Sequence, residues 1–213
     1  MTAGLLGIAL VSLGMVLTPG PNMIYLVSRS ITQGRRAGLV ALCGVALGFT
    51  IYLTATCLGL TAIFALVPPV YTALKLAGAG YLLWMAWNAF RPGGTSAFEV
   101  RDLEPESPRK LFSLGLLTCL LNPKIAILYL SLLPQFIDPA AGHVLLQSLA
   151  LGSVQIAIGT LVNALIAMSA GTLAVFLASR PVWLRVQRYF MGSVLGVMAI
   201  HLATDRSKAL VTT

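Results

Sequence analysis

Long apolar stretches alternate with short polar joints along this chain, and six of the stretches can each cross a bilayer. A spanning helix takes about 20 mostly apolar residues. The six run roughly over residues 3–27, 39–67, 71–90, 111–133, 144–177 and 186–203. The fifth is too long for a simple span, so its start lies along the interface or the helix tilts strongly. The apolar run at the N-terminus has no basic segment before it and outlasts a signal-peptide core, so it reads as an uncleaved first span.

Two of the stretches are interrupted by proline. The first break is Thr18-Pro19-Gly20-Pro21-Asn22 and the second is Asn122-Pro123-Lys124. Pro19 and Pro123 are 104 residues apart, and Ala46-Leu47-Gly48 recurs as Ala150-Leu151-Gly152 at the same offset. The longest joint, residues 91–110, carries Pro92, Gly93 and Gly94 and then a mixed-charge run, and reads as a solvated linker. It divides the chain into residues 1–92, a first three-helix repeat, residues 93–110, a linker, and residues 111–213, a second three-helix repeat. The expected fold is an all-α integral membrane protein of six transmembrane helices in two inverted three-helix repeats, with helices 1 and 4 broken. An odd number of spans per half makes the halves run in opposite senses, as in many secondary transporters.

Composition agrees with a membrane protein. The chain is 58% hydrophobic and 9% charged, with a mean hydropathy of +0.90, whereas soluble domains carry about 25% charged residues. The net charge of +8 would suggest nucleic acid in a soluble domain. Here the basic residues flank apolar spans, so no nucleic-acid partner is expected. Ten of them fall in joints one, three and five: Arg29, Arg35, Arg36, Arg91, Arg101, Arg109, Lys110, Arg180, Arg185 and Arg188. The other side has Lys75, Arg206 and Lys208. The positive-inside rule puts joints one, three and five in the cytoplasm and both termini outside. Cys43, Cys57 and Cys119 show no disulfide or metal spacing and read as small buried apolar residues.

The breaks carry the candidate chemistry. Each proline removes a backbone donor and Gly20 permits unusual dihedrals, which frees backbone groups at membrane depth beside Thr18 and Asn22. Broken backbone is tolerated there only where it is buried in protein or lines a cavity. Lys124, mid-span, costs about 2.5–3.5 kcal/mol at a helix centre and must face protein or water. The amides opening the helix after Pro123 would join it in an anion site suited to a carboxylate. Lys124→Ala is expected to abolish transport without loss of folded protein. Thr50, Tyr52, Thr54 and Thr56 in span two and Ser153, Gln155, Thr160 and Asn163 in span five face the breaks in the repeat scheme. Gln155 and Asn163 share a helix face. Gly44 with Gly48 and Gly192 with Gly196 are packing pairs. No acid lies at the centre of a span. Asp138, just past span four, either meets a substrate amine at the outer mouth or caps the next segment. His143 and His201 lie at span ends without zinc-like spacing.

These readings define the substrate-binding set Thr18, Pro19, Gly20, Pro21, Asn22, Asn122, Pro123, Lys124, Gln155 and Asn163, with Asp138 as a proton or substrate-amine site. No catalytic residue, metal or cofactor is expected. A cation or metal-ion exporter would need buried acids or a thiol cluster, and a small membrane enzyme would need a nucleophile or acid–base constellation. A passive channel would show far higher flux. A zwitterionic substrate is expected between the breaks, its carboxylate on Lys124 and nearby amides, its ammonium on Asn22, Asn122 and the freed carbonyls.

The motifs TPGPN at 18–22, Gln33-Gly34-Arg35-Arg36-Ala37-Gly38, Gly78-Ala79-Gly80-Tyr81-Leu82, Asn122-Pro123-Lys124 and Leu133-Pro134-Gln135-Phe136-Ile137-Asp138, in that order, resemble the LysE/RhtB family of amino-acid exporters over nearly the whole chain. The resemblance implies a bacterial inner-membrane exporter of amino acids or derivatives, of the neutral homoserine, threonine or leucine type, coupled to proton influx. It implies family roles for Pro19, Pro21, Asn22, Asn122, Pro123 and Asp138. Some family members place a histidine or acid in span two, where this chain has Phe49, Thr50 and Tyr52, so that either Asp138 or a water chain carries the proton or the coupling differs. Partners are then the small-molecule substrate, protons and the bilayer, with a homo-oligomer left open.

Overall fold

Pro19 and Pro21 cannot donate to a helix ladder, and the first helix ends at Leu17, just short of them. The computed structural model describes residues 2–66, 68–91, 104–178 and 181–204, without side chains at 60–75 and at several positions beyond 84. In it the first apolar stretch is two helices, α1 (Thr2–Leu17) and α2 (Pro21–Gln33), bent by 54°. The fourth stretch is broken in the same way. α5 (Pro108–Leu120) meets α6 (Pro123–Ile127), which runs on through a π turn (Leu128–Leu132) and a 3-10 turn (Leu133–Phe136), and the bend is 51°. Pro21 and Pro123 each open a helix, where a missing N–H costs nothing. Pro21, and not Pro19, is thus the proline that stands where Pro123 does, at the first position of a helix.

Two long helices frame the breaks: α3 (Arg35–Leu66) and α7 (Val144–Ala178). α4 (Pro68–Phe90) and α8 (Pro181–Thr204) follow them in the two halves. α3 packs on α5, α7 packs on α1, and α4 packs on α8, while α2 sits against both α3 and α7. By length and composition α3 and α7 can each cross a bilayer, over Arg35–Gly59 and Val144–Thr172, and each bent pair qualifies as one further span. α7 is one uninterrupted helix of 35 residues, about 52 Å long, so no bend separates an interfacial start from the spanning part.

The contact of α3 with α5 is backbone on backbone. A Cβ on Gly44 would stand 2.0 Å from the Phe112 carbonyl oxygen, and one on Gly115 would stand 2.2 Å from that of Ala41. A Cβ on Gly48 would stand 2.7 Å from the Cys119 side chain. Small residues admit such an approach, the common mode of helix association in lipid. Gly192 packs on the Phe90 ring, whereas Gly196 has open space around it. Large apolar side chains point outward from several helices, among them Leu6 and Leu10 on α1, Leu117 and Leu121 on α5, and Leu161 and Leu165 on α7. A surface so apolar fits hydrocarbon, not water.

Several polar residues face that surface and not the breaks. Thr50 and Thr54 are exposed and bond the carbonyls one turn back, at 3.1 Å and 3.0 Å, and Ser153 is exposed too. Cys43 is likewise exposed, unlike the buried Cys57 and Cys119. The repeat scheme erred here because it assigned whole helices, while a helix turns each successive side chain by a fixed angle. Most of the long joint, with Arg101, lies outside the described residues, as do Arg180, Arg206 and Lys208. Its described end is docked. Arg29, buried on α2, makes an ion pair with Glu106 at 3.0 Å and donates to the Glu104 carbonyl at 3.0 Å. Gln33 donates to the Glu106 carbonyl at 3.0 Å.

Candidate functional site

Helix α1 stops with unmet carbonyls at its C-terminal end, as any helix does, and Met15 and Thr18 are buried there. Lys124 supplies the donors. Its Nζ reaches across from α6 to the Met15 carbonyl at 2.9 Å and the Thr18 carbonyl at 2.6 Å, and the residue is 5% exposed. Thr18 also folds its hydroxyl back to the Gly14 carbonyl at 2.8 Å. Gly20 is extended at φ −166°, so it is not needed for unusual dihedrals. Its service is room: a Cβ there would lie 2.9 Å from Lys124 Nζ.

The second break is closed by Asn122. Its Oδ1 accepts from the Lys124 backbone N–H at 3.1 Å, and its carbonyl accepts from Ile125 and Ala126. Those first amides of α6, read from the sequence as free for a carboxylate, are thus partly spent on an N-cap. Asn122 Nδ2 donates to Asn22 Oδ1 at 3.0 Å, and this buried bond joins the two breaks directly. Both asparagine Oδ1 atoms and the Met15 and Thr18 carbonyls, among the groups expected to receive an ammonium, each already accept a hydrogen bond in this conformation.

Beside this junction lies a cavity of about 20 Å³, lined in part by Asn22, Lys124, Gln155 and Asn163. That is room for about one water. Gln155 and Asn163 reach it from one face of α7, with Gly159 between them. Asn163 donates to the Gly159 carbonyl at 2.7 Å. Gln155 Oε1 accepts from the hydroxyl of Tyr129, which lies buried in the π turn and stacks on Tyr52 at 5.7 Å between centroids. Tyr52 in turn donates to the Leu120 carbonyl at 2.8 Å, the last residue of α5. π turns recur at functional positions. Met23, Val27 and Ala170 form a dry contact between α2 and α7 on one side of the junction.

Of the residues anticipated from sequence, Thr18, Gly20, Asn22, Asn122, Lys124, Gln155 and Asn163 converge here, and Pro19, Pro21 and Pro123 shape the breaks. Asp138 stands apart. It is exposed, its side chain caps a short turn by accepting from the Ala140 N–H at 3.1 Å, and it borders a separate hollow of about 320 Å³ with Phe136 and Gln147. Thr56 is buried and Thr160 half-buried, both with buried, unpartnered hydroxyls, but neither lines the small cavity. Reading the sequence missed Ser12, Phe49 and Tyr129 as parts of the site. Ser12 had a usable signal, a hydroxyl in an otherwise apolar helix on the face it shares with Ile8 and Met15. Tyr129 had none, because a π turn is not visible in apolar spacing. Among the described residues no three His, Cys, Asp or Glu side chains gather as metal ligands.

Comparison with known proteins finds relatives that are named as membrane proteins. The chain is 28% identical over 195 residues to an uncharacterized membrane protein of Pseudomonas aeruginosa, covering 88% of this chain and 86% of the relative. It is 31% identical over 115 residues to the uncharacterized membrane protein YahN of Escherichia coli, covering 54% and 52%. Against the leucine efflux protein of Salmonella choleraesuis it is 30% identical over 129 residues, 61% of each chain. No solved structure matches. The family model described as LysE type translocator matches residues 13–206, both breaks included, and the chain therefore belongs to the LysE-type translocator family.

Proposed function

We propose that this chain is a six-span secondary exporter of amino acids or their derivatives, of the neutral leucine, threonine or homoserine type, coupled to proton influx across a bacterial inner membrane. The observation that carries the reading is the meeting of two broken helices, bent by 54° and 51°, at the Asn22–Asn122 bond with Lys124 beside it. Paired interruptions in corresponding halves are the sequence and structural mark of a transporter's binding site. The relative named for leucine efflux supports the substrate class.

Two inverted repeats, residues 1–92 and 111–213 around the linker, account for the packing. Exchanging the halves maps α3 on α5 to α7 on α1 and maps the α4–α8 contact onto itself. Substrate binds between the breaks, and rocking of one half against the other alternates access. A substrate leaving past the large hollow meets Asp138 as its first acid. Export of a zwitterion against entry of one proton moves one charge per cycle. That is worth about 2.3 kcal/mol per 100 mV, a gradient of roughly fifty-fold.

The test is efflux of labelled amino acids from proteoliposomes across a panel, with and without an imposed proton gradient. Gradient-stimulated movement of one or a few neutral amino acids is the expected result. A folded protein that moves none of them would leave the family assignment without this activity.

A further inference from the structure

Groups that can only donate or only accept fix how the buried amides point, and they leave the small cavity with a polarity. The Lys124 backbone N–H can only donate, so the Asn122 atom it meets is Oδ1. Asn122 Nδ2 is then the donor to Asn22 Oδ1. What Asn22 has left is Nδ2, which is buried with the Cys119 thiol, a weak acceptor, beside it and no oxygen partner. Ser12 lines the same cavity from α1, 2% exposed, and its hydroxyl also has no partner. An ammonium carries three N–H groups, and Lys124 spends two on the Met15 and Thr18 carbonyls. On the acceptor side, Asn163 Nδ2 is fixed by the Gly159 carbonyl, which makes Oδ1 the end this residue, part of the cavity lining, offers as an acceptor.

We infer that Ser12, Asn22 and Lys124 form a carboxylate subsite, and that Asn163 Oδ1 takes the ammonium of the same substrate. The inference rests on the exporter reading and sharpens it: the substrate keeps a free carboxylate beside its amine, and Ser12 becomes a residue that determines specificity. Two unspent donors, on Ser12 and Lys124, and an Asn22 N–H that meets only a thiol match the two oxygens of a carboxylate, whose bonds are charge-assisted. A metal cation, or an amine lacking the carboxylate, leaves all three unmet, the costliest outcome for buried polar groups. The division also differs from the one expected from sequence, because Asn22 offers its nitrogen here and not its oxygen. At about 20 Å³ the hollow holds about one water, and substrate entry requires α1 and α2 to part from α7.

The deciding experiment is counterflow of labelled leucine, or of the amino acid that moves best in the panel, in proteoliposomes. The competitors are the unlabelled amino acid and its amide, which keeps the amine but has no carboxylate. Wild type, Ser12→Ala and Asn22→Asp are compared, each checked as a single species in detergent. The amide competes at least about tenfold more weakly than the acid, and Ser12→Ala raises KM about tenfold with maximal rate retained, as loss of one charge-assisted bond requires. Asn22→Asp still accepts from Asn122 but replaces the donor with a negative oxygen, and loses counterflow. Should that variant fail to fold, the amide and Ser12→Ala arms decide. Equal competition by the amide with an unchanged KM in Ser12→Ala overturns the carboxylate subsite and leaves the exporter reading intact. Absence of counterflow by folded wild type for every amino acid overturns both.

Discussion

Lys124 holds the ends of two broken helices from opposite halves of the chain, and this changes what its removal should do. From sequence alone, Lys124→Ala was expected to stop transport while leaving the fold untouched. The ammonium instead satisfies two buried carbonyls, Met15 and Thr18, and each one left unmet costs about 1–3 kcal/mol. Lys124→Ala should therefore both abolish efflux and lower the thermal unfolding midpoint in detergent by several degrees. A melting curve superimposable on wild type would show that water readily replaces the lysine at those carbonyls. That Lys124 faces protein was legible in the sequence, since a lysine at that depth has few other choices. Which protein atoms it meets was not, because they lie more than a hundred residues earlier, in backbone that carries no side-chain signal.

At the level of elements, the breaks and the close helix crossing do different work. Proline positions alone indicated where α1 and α5 would end. The angle of each bend, and the π turn that aims Tyr129 at Gln155, depend on how the pieces pack. The crossing of α3 and α5 depends on glycine, and here the prediction is simple. Gly44→Ala puts a Cβ 2.0 Å from the Phe112 carbonyl oxygen, so the two backbones must separate and lose contact along their length. Its yield of monodisperse protein and its melting temperature should fall well below those of Gly80→Ala, whose added Cβ meets nothing within 4 Å. Equal behaviour of the two variants would mean that the helices are not held as closely as this packing requires.

For the whole molecule, the consequential contact outside the junction is the clasp of Arg29 and Gln33 on the segment entering α5. It ties the end of α2 to the second half, so opening on that side must strain or break it. Glu106→Gln leaves the buried Arg29 without its counter-charge, a change that costs up to about 3–5 kcal/mol when a buried pair is broken on one side. The closed state should lose population. With the three native cysteines replaced, a cysteine at Ala170, which packs against Met23 and Val27, should react with thiol reagent several-fold faster from the α2 side in Glu106→Gln than in its parent. Unchanged labelling would exclude the clasp from gating. The same cysteine-replaced background tests orientation. Arg36→Cys should be shielded from an impermeant reagent in intact cells and Ala140→Cys labelled, if basic joints face the cytoplasm; the reverse pattern would invert the topology.

Hydropathy, proline placement and the lone mid-span lysine were local properties, and by themselves they determined that this is a helical membrane protein with two broken helices and a polar centre. Bilayer insertion reads such properties directly, since hydrocarbon tests every backbone group and every charge where it stands. The partnership of those groups belongs to the tertiary structure alone. It spent Asn122 on a helix cap, tied the oxygen of Asn22 to Asn122 and left its nitrogen without an oxygen partner, sent Thr50, Thr54 and Ser153 outward, and left Asp138 at the rim. Hydrogen-bond direction and helix rotation arise only when distant segments meet, and sequence spacing within one segment carries no record of either.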